Sequence, residues 1–214
     1  NRGVEKRDIF IEDRDYLRFV HDLWEFNDIE PTSHAIHTFK HLDLRNPNFP
    51  KKMRSKIVDI HGWCLMKNHY HLLVSEIAEN GITKFLRKLN IGYANYFNEK
   101  NKRQGALFQG RTKKIPIKSD AHFLHILNYI HFNPLDYVSG AKEWRNRELQ
   151  NANNAYEQLE KYRWSSLQDY CGQKNFPSIL TTDLFGEKPG VFKKKVQVHL
   201  RDFEATTIRD YLLE

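Results

Sequence analysis

Two histidines separated by a single residue are the first candidates for chemistry. His69 and His71 flank Tyr70 in a mostly apolar stretch that ends at Val74. In a β-strand, residues two apart project from the same face, so the two imidazoles lie together while Tyr70 points the other way. Paired neutral imidazoles suit a divalent cation. An isolated pair also fits ordinary polar strand positions, and the distance of Cys64 from the pair does not match a usual structural zinc spacing.

A tyrosine on a candidate helix is the second candidate. At 100° per residue, Tyr129 and Asn133 lie one turn apart on one helical face. The apolar residues that mark the packing side of this helix are Phe123, Leu124, Leu127 and Ile130. A tyrosine on the polar side, one turn from an amide oxygen, suits a nucleophile beside a metal ligand. The alternative is a half-buried tyrosine, with Asn133 ending the helix before Pro134.

Three histidines accompany Tyr129 on the same segment. His122 and His125 extend the face of Tyr129 backwards, and we expect both to be solvated, with His125 placed to assist proton transfer from Tyr129. His131 lies about 200° around the helix from Tyr129, so we interpret it as structural.

The elements that position these residues alternate between helix and strand. The pattern predicts helices over 14–26 (with Asp13 as N-cap), 81–98 and 120–132, a strand pair within 57–74, and a strand over 114–118. Residues 27–50 form a long loop with a basic exit, and the role of 27–54 is left open. Residues 135–214 are mostly helical. This order indicates an α+β fold with one antiparallel sheet and packed helices.

Composition narrows the class of partner. The 214 residues carry a net charge of +7 and 40% hydrophobic residues, with a pI of about 9.3. The hydrophobic content excludes wholesale disorder. The positive charge favours a polyanionic partner, with nucleic acid the first candidate and an anionic membrane surface a distant second. We expect no membrane span, since no apolar run approaches the necessary length of about 20 residues. Two cysteines suit a reducing cytosol.

Three blocks then carry a resemblance to a known family. The stretch from Cys64 to Val74 resembles the His-hydrophobic-His (HUH) motif of single-tyrosine HUH transposases. Residues 105–111 (GALFQGR) and 128–134 (NYIHFNP) resemble two further blocks of their REP-associated branch, in that order. Residues 1–7 look like the end of the family's first strand, and 163–166 resemble a block beyond its catalytic core.

The resemblance implies a ferredoxin-like antiparallel sheet with packed helices and cleavage of single-stranded DNA with Mg²⁺ or Mn²⁺. His69 and His71 match the metal ligands, Tyr129 matches the nucleophile, and Asn133 falls at the position of a third ligand. Attack would leave a 5′-phosphotyrosine and a free 3′-OH. We therefore expect a catalytic domain over 1–138 and a helical extension over 139–214 that packs on the core and is a candidate DNA contact.

The expected partner is single-stranded or hairpin-forming (REP-like) DNA in a prokaryotic, nucleoid-associated cytoplasmic protein, monomeric or homodimeric. The basic residues expected to contact phosphates are Arg2, Lys6, Arg7, Lys84, Arg87, Lys88, Arg103, Arg111, Lys113 and Lys114. Two alternatives stay open, a domesticated hairpin-binding protein without turnover and an HUH-type replication initiator. The intact set of His69, His71 and Tyr129 favours the enzyme.

Overall fold

The computed structural model describes residues 1–31, 39, 42–43, 49, 54–142, 144–146 and 149–201. The helices are α1 (Asp13–Glu25), α2 (Gly81–Lys100), α3 (Asp120–Phe132), α4 (Ala152–Lys161), α5 (Leu167–Tyr170) and α6 (Pro189–Arg201), and the strands are β1 (Val58–Met66) and β2 (His69–Glu76). The α+β prediction is confirmed. Most of the loop 27–54 lies outside the described residues.

The sheet consists of the antiparallel pair β1–β2, joined by Lys67 and Asn68. Isolated bridges extend it on both sides: Arg2 pairs with His69 beside β2, and Ser165 pairs with Cys64 beside β1. A ferredoxin-like sheet has four strands. Among the described residues the sheet has two regular strands, and only these isolated bridges stand where the outer two strands would lie. The strand predicted over 114–118 is wrong, because this segment forms no ladder and its side chains are exposed.

The two faces of the sheet bury different helices. On one face, Tyr70 packs its ring 4.8 Å from that of Phe19 on α1 and donates a hydrogen bond to Asn90 on α2 at 2.7 Å. On the other face, Cys64 and Leu73 join a second cluster with α3 and the C-terminal helices. The alternation of strand side chains therefore separates the large aromatic core from the side that carries His69 and His71.

Local sequence sets where α1 and α3 begin. Glu12 and Asp15 form a reciprocal capping box, so α1 starts one residue after Glu12 and the predicted cap, Asp13, lies in its first turn. The Ser119 side chain accepts a hydrogen bond from the His122 amide at 3.2 Å and caps α3, which begins at Asp120.

Helix α3 has no solvated polar face at its centre, which corrects the prediction for this helix. Tyr129 is 4% exposed and His122 is 2% exposed, and both lie at positions that the pattern assigned to the polar side. The reason is tertiary: Tyr129 belongs to the second cluster, which includes residues of α4 to α6, and other segments cover His122. The domain boundary at residue 138 stays a prediction.

Candidate active site

The strand β2 presents His69 and His71 side by side, as their spacing predicts. Their ring centroids lie 4.9 Å apart at an interplanar angle of 82°. In the ladder, His71 lies opposite Cys64 and His69 lies opposite Met66, so all four side chains share the face that packs against α3. The hairpin register thus places both imidazoles between the sheet and the helix that carries Tyr129.

Most of the imidazole nitrogens lack a hydrogen-bond partner within the described part of the chain. His69 Nδ1 lies 2.6 Å from Asn68 Oδ1, which holds that nitrogen as the N–H donor and turns Nε2 into the acceptor. His69 Nε2 and both ring nitrogens of His71 are buried without a partner there. A buried polar atom without a partner costs about 1–3 kcal/mol, so these atoms indicate a ligand that the protein itself does not supply.

The surroundings keep both imidazoles neutral. Burial, with the charge of Arg2 as a second cause, lowers the pKa of His69 to about 4. Burial also holds the pKa of His71 well below its ordinary value, and His69 and Arg145 add to this effect. Metal binding requires the neutral imidazole, so both rings are in the right protonation state at neutral pH.

Tyr129 meets the histidine pair from α3. Its ring centroid lies 6.1 Å from that of His71, and the two planes are almost perpendicular at 88°. On its other side, the ring of Trp144 lies 5.6 Å away. The helix therefore brings the predicted nucleophile beside the predicted metal ligands, although 58 positions separate His71 and Tyr129 in the sequence.

Asn133 lies at the end of α3 in a fully buried position. Its amide nitrogen donates to the Tyr129 carbonyl at 2.9 Å, and its oxygen accepts from Arg145 Nη2 at 3.1 Å. Both ends of the carboxamide already serve the protein, although an amide oxygen keeps a second lone pair for another partner. The structure thus gives Asn133 a structural function, and its predicted role as a metal ligand stays a prediction.

Sequence reasoning missed the group that supports Asn133. Asp136 accepts hydrogen bonds from Arg145 Nη1 at 2.6 Å and from Trp144 Nε1 at 2.7 Å. Trp144 in turn packs against Tyr129, so this group supports the predicted nucleophile and Asn133 together. The signal in the sequence is slight, since Trp144 and Arg145 follow no periodic pattern. Only Asp136 lies beside the block 128–134 that resembles the transposase family.

The donor set fits a divalent cation with an incomplete protein shell. His69 and His71 offer neutral nitrogens that have no other use, which is the chemistry of imidazole ligation. Among the residues that the structure describes, no group of three or more His, Cys, Asp or Glu side chains converges to hold a metal ion. The two histidines, with Asn133 as the predicted third ligand, would therefore leave positions for water or phosphate oxygens.

A basic cavity of about 380 Å³ opens beside the histidines. Its walls combine His69 and His71 with four of the predicted DNA-contacting residues, Arg2, Lys6, Arg111 and Lys113. Two segments, the N-terminal one and the one after residue 108, thus place positive charge at the site. This charge would attract phosphate groups.

The other predicted DNA-contacting residues lie elsewhere. Lys84 and Arg87 are exposed on α2, whereas Arg7 lies 3.8 Å from Glu5. Arg103 bonds to Asn98 Oδ1 at 2.6 Å and to the Ala106 carbonyl, and Lys114 bonds to Thr83 Oγ1 at 2.8 Å.

Lys88 has a structural function that its sequence position did not suggest. Its ammonium group donates to the carbonyl oxygens of Asp28 at 2.5 Å and Glu30 at 3.0 Å, and to that of Ile29. All three donors of the group are therefore directed at the segment that follows α1. A phosphate contact by Lys88 would have to replace these bonds.

The remaining histidines of α3 are divided between two environments. His131 Nε2 lies 2.8 Å from Ser166 Oγ in a fully buried position, which confirms its structural interpretation. The expectation that His122 is solvated is wrong, because the segment 112–117 and Phe185 help to enclose that side of the helix. His125 is half-buried, with its ring centroid 5.4 Å from that of His199 on α6.

Comparison with protein families places the site within a known group. Residues 47–133, about two fifths of the chain, match the family described as transposase IS200 like. This segment contains His69, His71, Tyr129 and Asn133. Comparisons with curated proteins and with solved structures find no match. Among the described residues, no helix is both long and apolar enough to cross a membrane. Over residues 47–133, which contain the candidate site, the chain is therefore similar to IS200-like transposases.

Proposed function

We propose that this protein cleaves and rejoins single-stranded DNA with Tyr129 as the nucleophile. The observation that carries the proposal is the approach of Tyr129 to His71, whose two ring nitrogens are buried without a partner among the described residues. A tyrosine beside two imidazoles available to a cation is the combination that phosphoryl transfer by a phenol needs.

The proposed reaction transfers a phosphate between two oxygens. Tyr129 Oη bonds to the scissile phosphorus and loses its proton, while the bond from phosphorus to the 3′ oxygen breaks and the leaving oxygen takes up a proton. The products are a 5′-phosphotyrosine and a free 3′-OH. The energy of the phosphodiester is kept in the covalent link, so rejoining needs no ATP.

Three groups of residues support this step. Trp144 packs against Tyr129 and restricts its ring, and the residues of the basic cavity would bind the phosphates on either side of the cleaved bond. A phenol has an ordinary pKa of about 10, so attack needs electrostatic help. A divalent ion held by His69 and His71, Mg²⁺ or Mn²⁺, would polarise the phosphate and stabilise its developing charge.

The substrate proposed for this site is a single strand, including one beside a hairpin of the REP type. Tyr129 is only 4% exposed, and the basic cavity has a volume of about 380 Å³. A single strand can bend its backbone into such a site, whereas a duplex about 20 Å wide brings both strands together. The alternative of a binding protein without turnover predicts the same DNA contacts and no adduct.

The test measures a covalent protein–DNA adduct. Labelled single strands, with and without a stem–loop, and the matched duplexes are incubated with protein and Mn²⁺. We expect adduct with single strands, its complete loss in Tyr129→Phe, and its retention in Tyr137→Phe. Tyr137 is the matched control because it is the nearest other tyrosine in the sequence and is 45% exposed.

Three results would contradict the proposal. Adduct that persists in Tyr129→Phe would place the nucleophile on another residue. Equal nicking of fully paired duplex would exclude the proposed restriction to single strands. Binding of every strand by the wild-type protein without any adduct would support the alternative without turnover.

A further inference from the structure

A second, larger cavity adjoins the basic cavity at His71. It has a volume of about 520 Å³ and lies between β2, α3 and the extended segment 112–117. His71 and Lys113 line both cavities, so the two meet at the predicted metal ligand. No step of the proposed cleavage reaction uses this second space.

The walls of the second cavity are mostly apolar. The apolar side chains that line it from three elements include Ile82, Ile115, Ile117, Phe123, Ile126 and Ile130. A cavity of several hundred Å³ with apolar walls and a few polar groups is typical of a binding site for a flat organic ligand. Two of its isoleucines, Ile115 and Ile117, are each 38% exposed, so water has access to this wall.

The charges around the opening indicate what the ligand carries. Lys113 and Lys114 lie on the wall, while Arg2, Lys6 and Arg111 line the adjoining basic cavity. An apolar pocket that opens beside clustered positive charge is complementary to a group with a flat apolar part and an attached phosphate. A nucleotide within a single DNA strand has this composition, with its phosphate and its base on opposite sides of the sugar.

We infer that the apolar cavity binds one unpaired nucleobase of the DNA strand whose adjacent phosphate lies in the basic cavity. This inference rests on the proposed function, because it takes single-stranded DNA as the ligand. It assigns the segment 112–117 a role in recognition. It also adds a reason for the restriction to single strands, since a base in a duplex has to be unpaired and unstacked before it can enter.

The test compares two strands with equal charge. The probes are a 20-nucleotide oligothymidylate and a 20-unit strand of abasic tetrahydrofuran residues, each labelled and titrated by fluorescence anisotropy without added metal. The wild-type protein is expected to bind the thymidylate about tenfold more tightly, the size of effect that stacking of a single base produces. The abasic strand reports phosphate contacts alone.

Two variants fill the cavity from different segments of the chain. Ile117→Trp enlarges the exposed segment, and Ile126→Phe enlarges α3, where Ile126 is 7% exposed. We expect both to reduce the preference for thymidylate to about twofold or less and to leave binding of the abasic strand unchanged. The matched control is Ile91→Trp on α2, which is 52% exposed, lies outside this cavity and should keep the wild-type preference.

The outcomes separate this inference from the proposed function. Equal binding of both strands by the wild-type protein would overturn the inference, as would an unchanged preference in Ile117→Trp. Because Ile117 lies in an exposed segment, that variant stays informative if Ile126→Phe does not fold. A wild-type protein that shows the base preference and forms no DNA adduct would retain the cavity assignment and refute the cleavage.

Discussion

The two strands of the sheet each carry a buried histidine, and the two side chains have opposite environments. His61 on β1 is 5% exposed, with Nδ1 at 3.0 Å from the Thr181 carbonyl and Nε2 at 2.8 Å from Ser75 Oγ. His71 on β2 is 4% exposed, and neither ring nitrogen has a partner within the described residues. His61 is therefore used by the protein, whereas His71, like Nε2 of its neighbour His69, is available to a ligand.

Burial alone does not identify a functional histidine. His61 lies at the irregularity of the ladder between Ile60 and Gly62, next to a segment that brings Thr181 within reach. Its hydrogen bonds account for its burial. His71 lies in regular pairing with Cys64 and faces Tyr129, so its desolvated nitrogens have no structural explanation.

The largest expected effect comes from exchanging each of these histidines for leucine. His71→Leu should reduce cleavage by at least about 100-fold, because a proposed metal ligand is lost. It should not lower the melting temperature measured without metal, because it removes two buried nitrogens that have no partner among the described residues. His61→Leu should keep cleavage and lose about 1–3 kcal/mol of folding free energy, because Ser75 and Thr181 lose their partner. Cleavage rates and thermal melts of both variants provide the measurement, and a reversed pattern would invalidate the comparison.

The second prediction concerns the pH dependence of stability without metal. The folded protein holds the pKa of His69 at about 4, below the value of about 6.5 in an unfolded chain. Between these values the unfolded state binds more protons, so stability falls as the pH is lowered from 6.5 to 4. The double variant His69→Gln/His71→Gln should show a smaller fall in melting temperature over this range than His61→Gln. Equal falls would indicate that the pair is not held neutral.

Asn133 allows a further test of whether a polar side chain serves the protein structure or a bound ion. If its oxygen also binds the ion, Asn133→Ala should raise the Mn²⁺ concentration needed for half-maximal cleavage, and excess Mn²⁺ should partly restore the rate. If it only ends α3 and binds Arg145, the variant should lose about 1–3 kcal/mol of stability, because buried partners lose their hydrogen bonds, with an unchanged metal midpoint. Metal titration and melting of one variant separate the two roles.

The smallest expected effects concern single lysines. Lys113→Gln should weaken binding of all DNA strands alike and reduce the slope of log affinity against log salt by about 1. Lys88→Gln should leave that slope unchanged and lower the melting temperature, because three carbonyl groups lose their donor. A smaller salt dependence of DNA affinity in Lys88→Gln would indicate that Lys88 contacts a phosphate.

Much of the local structure was predictable from short-range patterns. The polar break at Lys67 and Asn68 separates the two strands, Ser119 and Pro134 mark the ends of α3, and the spacing of His69 and His71 places them on one face. Such features depend on residues within a few positions of each other. The burial of Tyr129 and His122 was not predictable, because some of the residues that cover them lie more than 60 positions away in the sequence.

The types of the site residues and the faces on which they lie follow from the sequence, since strand and helix periods fix where successive side chains point. Which of those faces meet, and which polar atoms find a hydrogen-bond partner, depends on how distant segments pack. This packing brought Tyr129 to His71, directed Lys88 at backbone carbonyls, and gave His61 partners that His71 lacks. The physical reason is that a hydrogen bond or a ring contact depends on position in space, and packing between distant segments sets that position.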